Sequence, residues 1–125
     1  ERQPVRFFHR EIEAELDRVR AVLGPLVGAA PQDLALVRNA TQGVNTVLQR
    51  VALQAGDELI LSNQEYNASA NAAAFAAERA GARLVRVEIP FPIRGPAAVL
   101  EAVLGALTPR TKLVFLPSPN NPTGT

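Results

Sequence analysis

The chain holds 125 residues, 47% of them hydrophobic and 20% charged, one domain's worth of globular protein with apolar residues for a single core. Thirteen basic against twelve acidic residues leave a net charge of +1 without a basic cluster, so neither nucleic acid nor an anionic membrane is expected as a partner. There is no cysteine for a disulfide or a thiol nucleophile, the first residues lack the apolar core of a signal peptide, and no apolar stretch is long enough to span a bilayer, which makes cytoplasmic the default location.

Val5, Phe8, Ile12, Leu16, Val19 and Leu23 recur every three to four residues and predict an amphipathic helix. Gly24-Pro25 is expected to end or kink it, because proline disfavours helix at the residue before it. Leu34-Ala35-Leu36-Val37 reads as a short buried strand. From Thr41 onward, Val44, Val47, Leu48 and Val51 restore the helical period. Gln54-Ala55-Gly56-Asp57 is a turn, and Glu58-Leu59-Ile60-Leu61 a second strand. Asn67 to Ala80 is an alanine-rich helix stopped by Gly81 in the left-handed region. Leu84 to Ile89 makes a third strand, and Pro90 to Pro96 a stiff loop. Val99, Leu100, Val103 and Leu107 mark a last helix before the strand Lys112 to Leu116.

This alternation predicts an α/β fold of three layers, a mostly parallel sheet with helices on both faces. Ligands of open α/β sheets bind beyond the carboxyl ends of the strands. Three such loops carry unusual polar chemistry: Asn39-Ala40-Thr41-Gln42-Gly43, Asn63-Gln64-Glu65-Tyr66, and Pro117 to Thr125.

The first loop opens a helix, where free backbone N–H groups and the positive end of the helix dipole favour an anion. Thr41 adds a hydroxyl donor and Gly43 permits close approach, although Thr41 could equally serve as the helix cap. In the second loop Tyr66, the only tyrosine, can stack on a planar heterocycle or simply cover the core. Glu65 stands where a dinucleotide fold would place a ribose-binding acid, but that fold wants G-x-G-x-x-G and the first loop has one glycine. In the third loop an N–H of the Asn121 side chain could hold a phenolate oxygen ionised; the alternative is a turn made of good turn formers.

Arg38-Asn39-Ala40-Thr41-Gln42-Gly43-Val44-Asn45-Thr46-Val47-Leu48 resembles the phosphate loop and following helix of class V aminotransferases, within the fold-type I pyridoxal-phosphate enzymes. Pro4 to Glu11, Glu65-Tyr66-Asn67-Ala68 and Glu88-Ile89-Pro90-Phe91-Pro92 look like the isopenicillin N epimerase-like branch, so the resemblance covers nearly the whole chain. Asn120-Asn121-Pro122-Thr123-Gly124 departs from that branch toward class I aminotransferases and the paired asparagines of desulfurases, which leaves the subfamily's reaction open.

The resemblance implies pyridoxal 5'-phosphate as cofactor, an amino acid as substrate and a homodimer when full length. It assigns Ala40, Thr41 and Gln42 to the phosphate, Tyr66 to the pyridine ring and Asn121 to the ring hydroxyl. It also implies residues 1–30 as an N-terminal helical segment and 31–125 as the first part of the cofactor-binding large domain, with later strands interposed between its first strand and the rest. The family's cofactor-bearing lysine and the aspartate facing the pyridine nitrogen are expected beyond Thr125, so the segment alone is expected to be inactive. Lys112, the only lysine, matches no catalytic position, and His9, the only histidine, has no second histidine for a metal site. The competing expectations are a non-catalytic nucleotide- or phosphate-binding α/β module and a structural segment without a ligand.

Overall fold

The computed structural model describes residues 3–120 and 123–124, and the chain divides into two compact units, Glu1–Arg38 and Asn39–Thr125. The first is helical. A short α1 (Pro4–Arg6) runs into a π-helical turn over Phe7–Glu11, closed by the Ile12 N–H donating to the Phe7 carbonyl, and then into α2 (Ile12–Val27). The Phe7 and Phe8 rings meet edge to face, with centroids 5.3 Å apart.

Helix α2 does not stop at Gly24-Pro25 as the sequence suggested; it continues to Val27 and closes on Gly28 in the left-handed conformation. Pro25 sits in the last turn, where its missing N–H forfeits one bond and leaves the rest of the ladder intact. The chain then folds back so tightly that a Cβ on Gly24 would lie 2.8 Å from the Ala29 carbonyl oxygen. The glycine is needed there for space.

The expected strand at Leu34–Val37 does not form. Leu34 is extended, yet residues 34–37 join no ladder among the described residues, and Leu36 and Val37 are exposed. An apolar, extended run becomes a strand only when a neighbour takes up its backbone N–H and C=O groups.

The second unit is the α/β body. It comprises α3 (Ala40–Arg50), β1 (Glu58–Ser62), α4 (Asn67–Ala80), β2 (Arg83–Val87), α5 (Pro96–Gly105) and β3 (Thr111–Phe115). The three strands are parallel in the order β2-β1-β3, with Ile60 beside Val85 and Val114. Every residue of the central β1 is buried, as expected of a parallel strand covered on both faces. Parallel crossovers are right-handed, and β1–α4–β2 steps the opposite way from β2–α5–β3. Helices α4 and α5 therefore take opposite faces, in agreement with the expected layering.

The core lies on the α3/α4 face. Leu59 and Leu61 of β1 pack with Leu48 of α3 and with Ala73 and Ala76 of α4, flanked by Leu84 and Leu113 at the same level of the sheet. The small alanines let α4 approach the strand closely, and Gly81 (φ 66°) ends the helix where the sequence placed the stop. Truncating a fully buried leucine such as Leu59 to alanine would cost about 2–5 kcal/mol.

At the amino end of β1, Glu58 is fully buried yet ionic. Its carboxylate accepts hydrogen bonds from Arg83 (2.6 Å), Thr108 (2.7 Å) and Arg110 (2.9 Å). The Arg83 guanidinium, the Thr108 hydroxyl and Arg110 together outweigh burial and hold its pKa at about 2, against an ordinary 4.5. The register explains the meeting: Glu58 lies opposite both Arg83 and Thr111, so the starts of all three strands converge on one carboxylate. Lys112 falls in the register shift that follows, exposed and at the end of the sheet away from the loops of interest.

Candidate cofactor site

At the carboxyl ends of the strands, a cavity of about 540 Å³ is lined by Ala40 and Thr41 from the start of α3, by Glu65, Tyr66 and Ser69 around the start of α4, and by Phe115 at the end of β3. The first two polar loops singled out in the sequence thus meet at one cavity. Ala40, Thr41 and Tyr66 line it together; Gln42 does not. Asn121 lies outside the described residues.

Helix α3 is capped by Asn39, not by Thr41. The Asn39 backbone is extended and its Oδ1 accepts the Gln42 N–H at 2.8 Å, while its carbonyl accepts the Gly43 N–H at 3.2 Å. The first bond satisfies one of the orphan donors of the first turn, and the second is the first bond of the helix itself. Among the described residues, the N–H groups of Ala40 and Thr41 and the Thr41 hydroxyl have no acceptor. They belong to residues that line the cavity at the start of α3, where the helix dipole favours an anion. Gln42 is drawn into the cap, so its backbone N–H is already committed.

Tyr66 occupies the cap position of α4 and is 48% exposed, so a large part of its ring is open. Its backbone N–H donates to Glu65 Oε1 at 2.8 Å. The other oxygen, Glu65 Oε2, is buried and has no partner among the described residues. Burial pushes the Glu65 carboxyl above the ordinary carboxylate range, and the Tyr66 N–H only partly opposes this. Sequence reasoning treated Glu65 as a possible ribose ligand and set it aside; its place in the cavity depends on the fold, and only its position beside Tyr66 hinted at it.

The third loop is tied to the second by amides. Asn120 is 8% exposed, and its Nδ2 donates to the Gln64 carbonyl at 3.1 Å. Its Oδ1 accepts from the Thr123 N–H (3.2 Å) and the Thr123 hydroxyl (3.0 Å). Gln64 Nε2 donates to the Ile89 carbonyl at 2.9 Å, and Asn63 Oδ1 accepts the Ile89 N–H at 3.0 Å. Loops after β1, β2 and β3 are thereby laced together by neutral side chains. None of these three amides had been singled out as structural from the sequence.

The residues present suit a phosphorylated aromatic cofactor. Unused donors at a helix start match an anion, and an open aromatic face matches a heterocycle. Among the described residues no group of three metal-ligating side chains occurs, and no helix is long and apolar enough to cross a membrane.

Comparison with known proteins agrees with this geometry. Residues 3–125 match the family profile of class-V aminotransferases. Isopenicillin N epimerase of Streptomyces clavuligerus is 35% identical over 113 residues, covering 90% of this chain and 28% of that protein. A probable cysteine desulfurase of Vibrio cholerae is 33% identical over 116 residues, again 90% of this chain and 28% of that protein. A solved structure of a C-DES mutant with glycine covalently linked to its PLP cofactor superposes with a TM-score of 0.75 at 23% identity, over 86% of this chain and 28% of that one. At that identity the likeness speaks for the fold. This chain therefore spans little more than a quarter of its relatives' length, 28% in both curated cases. By profile, sequence and fold alike, the chain belongs to the class-V aminotransferase family.

Proposed function

We propose that this chain is the N-terminal cofactor-binding part of a pyridoxal-phosphate enzyme that acts on an amino acid at its alpha carbon. The observation that supports the reading is one cavity lined both by Ala40 and Thr41 at the start of α3 and by the exposed Tyr66. Ala40 and Thr41 would hold the phosphate, Tyr66 would stack on the pyridine ring, and Asn121 would contact the ring hydroxyl. Gln42 would join them at the phosphate as the family resemblance implies, although its backbone N–H serves the cap. Bound there, pyridoxal phosphate supplies an electron sink for negative charge developing at the alpha carbon. This chain's residues bind and orient it and keep one ring face away from water.

In this reading residues 1–30 form a helical lead-in, and 31–125 begin the large domain. The full-length protein would be a cytoplasmic homodimer. Epimerisation, transamination and carbon–sulfur cleavage all occur among the relatives' names, and the residues that choose between them are expected outside this chain.

The test is a titration of the full-length apoprotein with pyridoxal phosphate, followed by visible absorption, with nucleotides as competitors. A new visible band that nucleotides do not displace is expected. Saturable nucleotide binding without such a band would replace this reading with that of a phosphate-binding module.

A further inference from the structure

We propose that the Ser69 hydroxyl is a further ligand contact of the cavity, one that hydrogen-bonds a polar atom on the ring of the bound cofactor and not its phosphate. The proposal rests on the cofactor reading above and adds to it a residue that no sequence motif singled out.

The first ground is that this hydroxyl is sheltered and unspent. Ser69 is 6% exposed and lines the cavity from the first turn of α4. A helical serine or threonine often turns its hydroxyl back to the carbonyl four residues earlier, as Thr46 does to Gln42 at 2.9 Å. For Ser69 that carbonyl belongs to Glu65, and among the described residues no such bond is made. The Glu65 carboxylate takes no bond from it either: Oε1 accepts the Tyr66 N–H at 2.8 Å, and Oε2 is without a partner among the described residues.

The other described serine and threonine hydroxyls are employed or wet. Ser62 and Thr111 accept backbone N–H groups, Thr108 donates to Glu58 and Thr123 to Asn120, while Ser118 is exposed. Among the described residues Thr41 and Ser69 are left, sheltered and unpaired, and both line the same cavity. Glu65 Oε2 is the one buried side-chain atom lacking a partner among the described residues. The Ser69 hydroxyl, which also lacks one, is therefore not sealed in protein and opens on the cavity it lines.

The second ground is depth. Ala40 is exposed, Thr41 half-buried and Tyr66 48% exposed, whereas Ser69 is the most deeply buried of the lining residues. A phosphate monoester carries between one and two negative charges near neutral pH and loses most by leaving water, so it belongs at the exposed start of α3. The ring is left for the interior. Tyr66 is the cap of α4 and Ser69 its third residue, positions that lie close enough for a cap side chain to reach the third N–H. A ring stacked on Tyr66 is thus the part of the ligand nearest Ser69. A hydroxyl both donates and accepts, so it suits a ring oxygen or nitrogen in either protonation state. An apolar ring of the same shape would leave the hydroxyl buried without a partner, and the cavity would discriminate against it.

Ser69→Ala removes the hydroxyl, breaks no bond in the apoprotein and keeps a good helix former. It is made in the full-length protein beside Thr41→Ala, and both are titrated with two probes, pyridoxal phosphate and inorganic phosphate; melting of the apoprotein reports on folding. Ser69→Ala is expected to weaken pyridoxal phosphate binding roughly 3- to 10-fold in Kd, the range for loss of one neutral hydrogen bond, and to shift the pH midpoint of its visible band. It should leave the affinity for inorganic phosphate at the parental value and should not lower the melting midpoint, whereas Thr41→Ala should weaken both probes.

Parental affinity for pyridoxal phosphate with an unmoved band would overturn the proposal. So would a loss shared equally by inorganic phosphate, which would put the hydroxyl on the phosphate, or a melting midpoint lowered in step with affinity, which would make Ser69 structural. Each of these leaves the cofactor reading standing, because the parent still shows its visible band. A parent without any visible band on titration would instead refute the cofactor reading, and the proposal with it.

Discussion

Thr41 and Asn39 stand two residues apart at the start of α3, and both are good capping residues. The structure gives them separate tasks, which a pair of substitutions can expose. Asn39 holds the Gln42 N–H at 2.8 Å, so Asn39→Ala removes the cap and should destabilise the apoprotein by about 1 kcal/mol, within a range of about 0.5–2 kcal/mol. The Thr41 hydroxyl has no partner among the described residues, so Thr41→Ala breaks no bond in the apoprotein. It should even gain up to about 0.5 kcal/mol of helix propensity.

Toward the cofactor the order reverses. A hydroxyl donating to a phosphate oxygen is a charge-assisted bond, and losing it should cost about 1.5–3 kcal/mol, roughly 10- to 150-fold in Kd. Amide hydrogen exchange at Gln42 and the apoprotein melting midpoint read the first effect; pyridoxal-phosphate titration of the full-length protein reads the second. Fast exchange at Gln42 in Asn39→Ala only, with weakened binding in Thr41→Ala, is the expected pattern. If Thr41→Ala instead melts early and binds cofactor as the parent does, Thr41 is a structural residue and the phosphate assignment fails.

If Tyr66 stacks on the ring, Tyr66→Phe should keep most of the affinity, whereas Tyr66→Ala should lose about 1 kcal/mol or more; indistinguishable titrations of the two variants would remove stacking from the account. Glu65→Gln should reduce the proton uptake that accompanies cofactor binding, because the raised pKa of Glu65 in the fold means that an anion entering the cavity favours its protonated form. Calorimetry in two buffers of different ionisation enthalpy measures this, and unchanged uptake would dissociate Glu65 from the site. The same raised pKa makes the apoprotein lose stability as pH rises through the folded value, since the native state there binds more protons than the unfolded one, so the Gln variant should show a flatter profile. Glu58 has the opposite sign. Its lowered pKa contributes stability that is complete above 4.5 and lost as pH falls toward about 2, so Glu58→Gln should melt earlier at neutral pH and lose less on acidification. Parallel acid profiles for parent and variant would contradict the assigned cause.

The elements most legible in the sequence were those with their own punctuation. The alanine run from Asn67 with Gly81 behind it carried the limits of α4, and the compact apolar runs at Glu58 and Lys112 marked two strands. The sequence offered Thr41 as the cap of α3 and missed Asn39, because the cap is the residue with extended backbone, here Asn39 with φ −162°. Leu34–Val37 looked like a strand because apolarity reports a wish for burial, while a ladder needs a partner that composition does not supply. The Pro25 signal was real but local, and a single missing bond in the last turn does not outweigh a helix of 16 residues. At the site, Ala40, Thr41 and Tyr66 showed through their loops. The Asn63 and Gln64 amides and the Asn120 Nδ2 find partners 25 to 56 positions away, which no local pattern encodes.

The two ends of the sheet are fastened by different chemistry. Formal charges converge on Glu58 at the amino ends, with Arg83 and Arg110 side chains 62% and 65% exposed to solvent ions. At the carboxyl ends amides predominate, through Asn63, Gln64 and Asn120, with one carboxylate, Glu88, accepting from Asn63 Nδ2 at 2.6 Å. Raised salt therefore acts mainly on the end away from the cavity. Loosening there would propagate along β1 before it reached Ser62, so the loops around the cavity should keep their mutual geometry under conditions that already soften the base of the sheet. A family that needs to vary its reaction while keeping its cofactor would gain from this arrangement, because surface charge can drift at one end without retuning the site at the other.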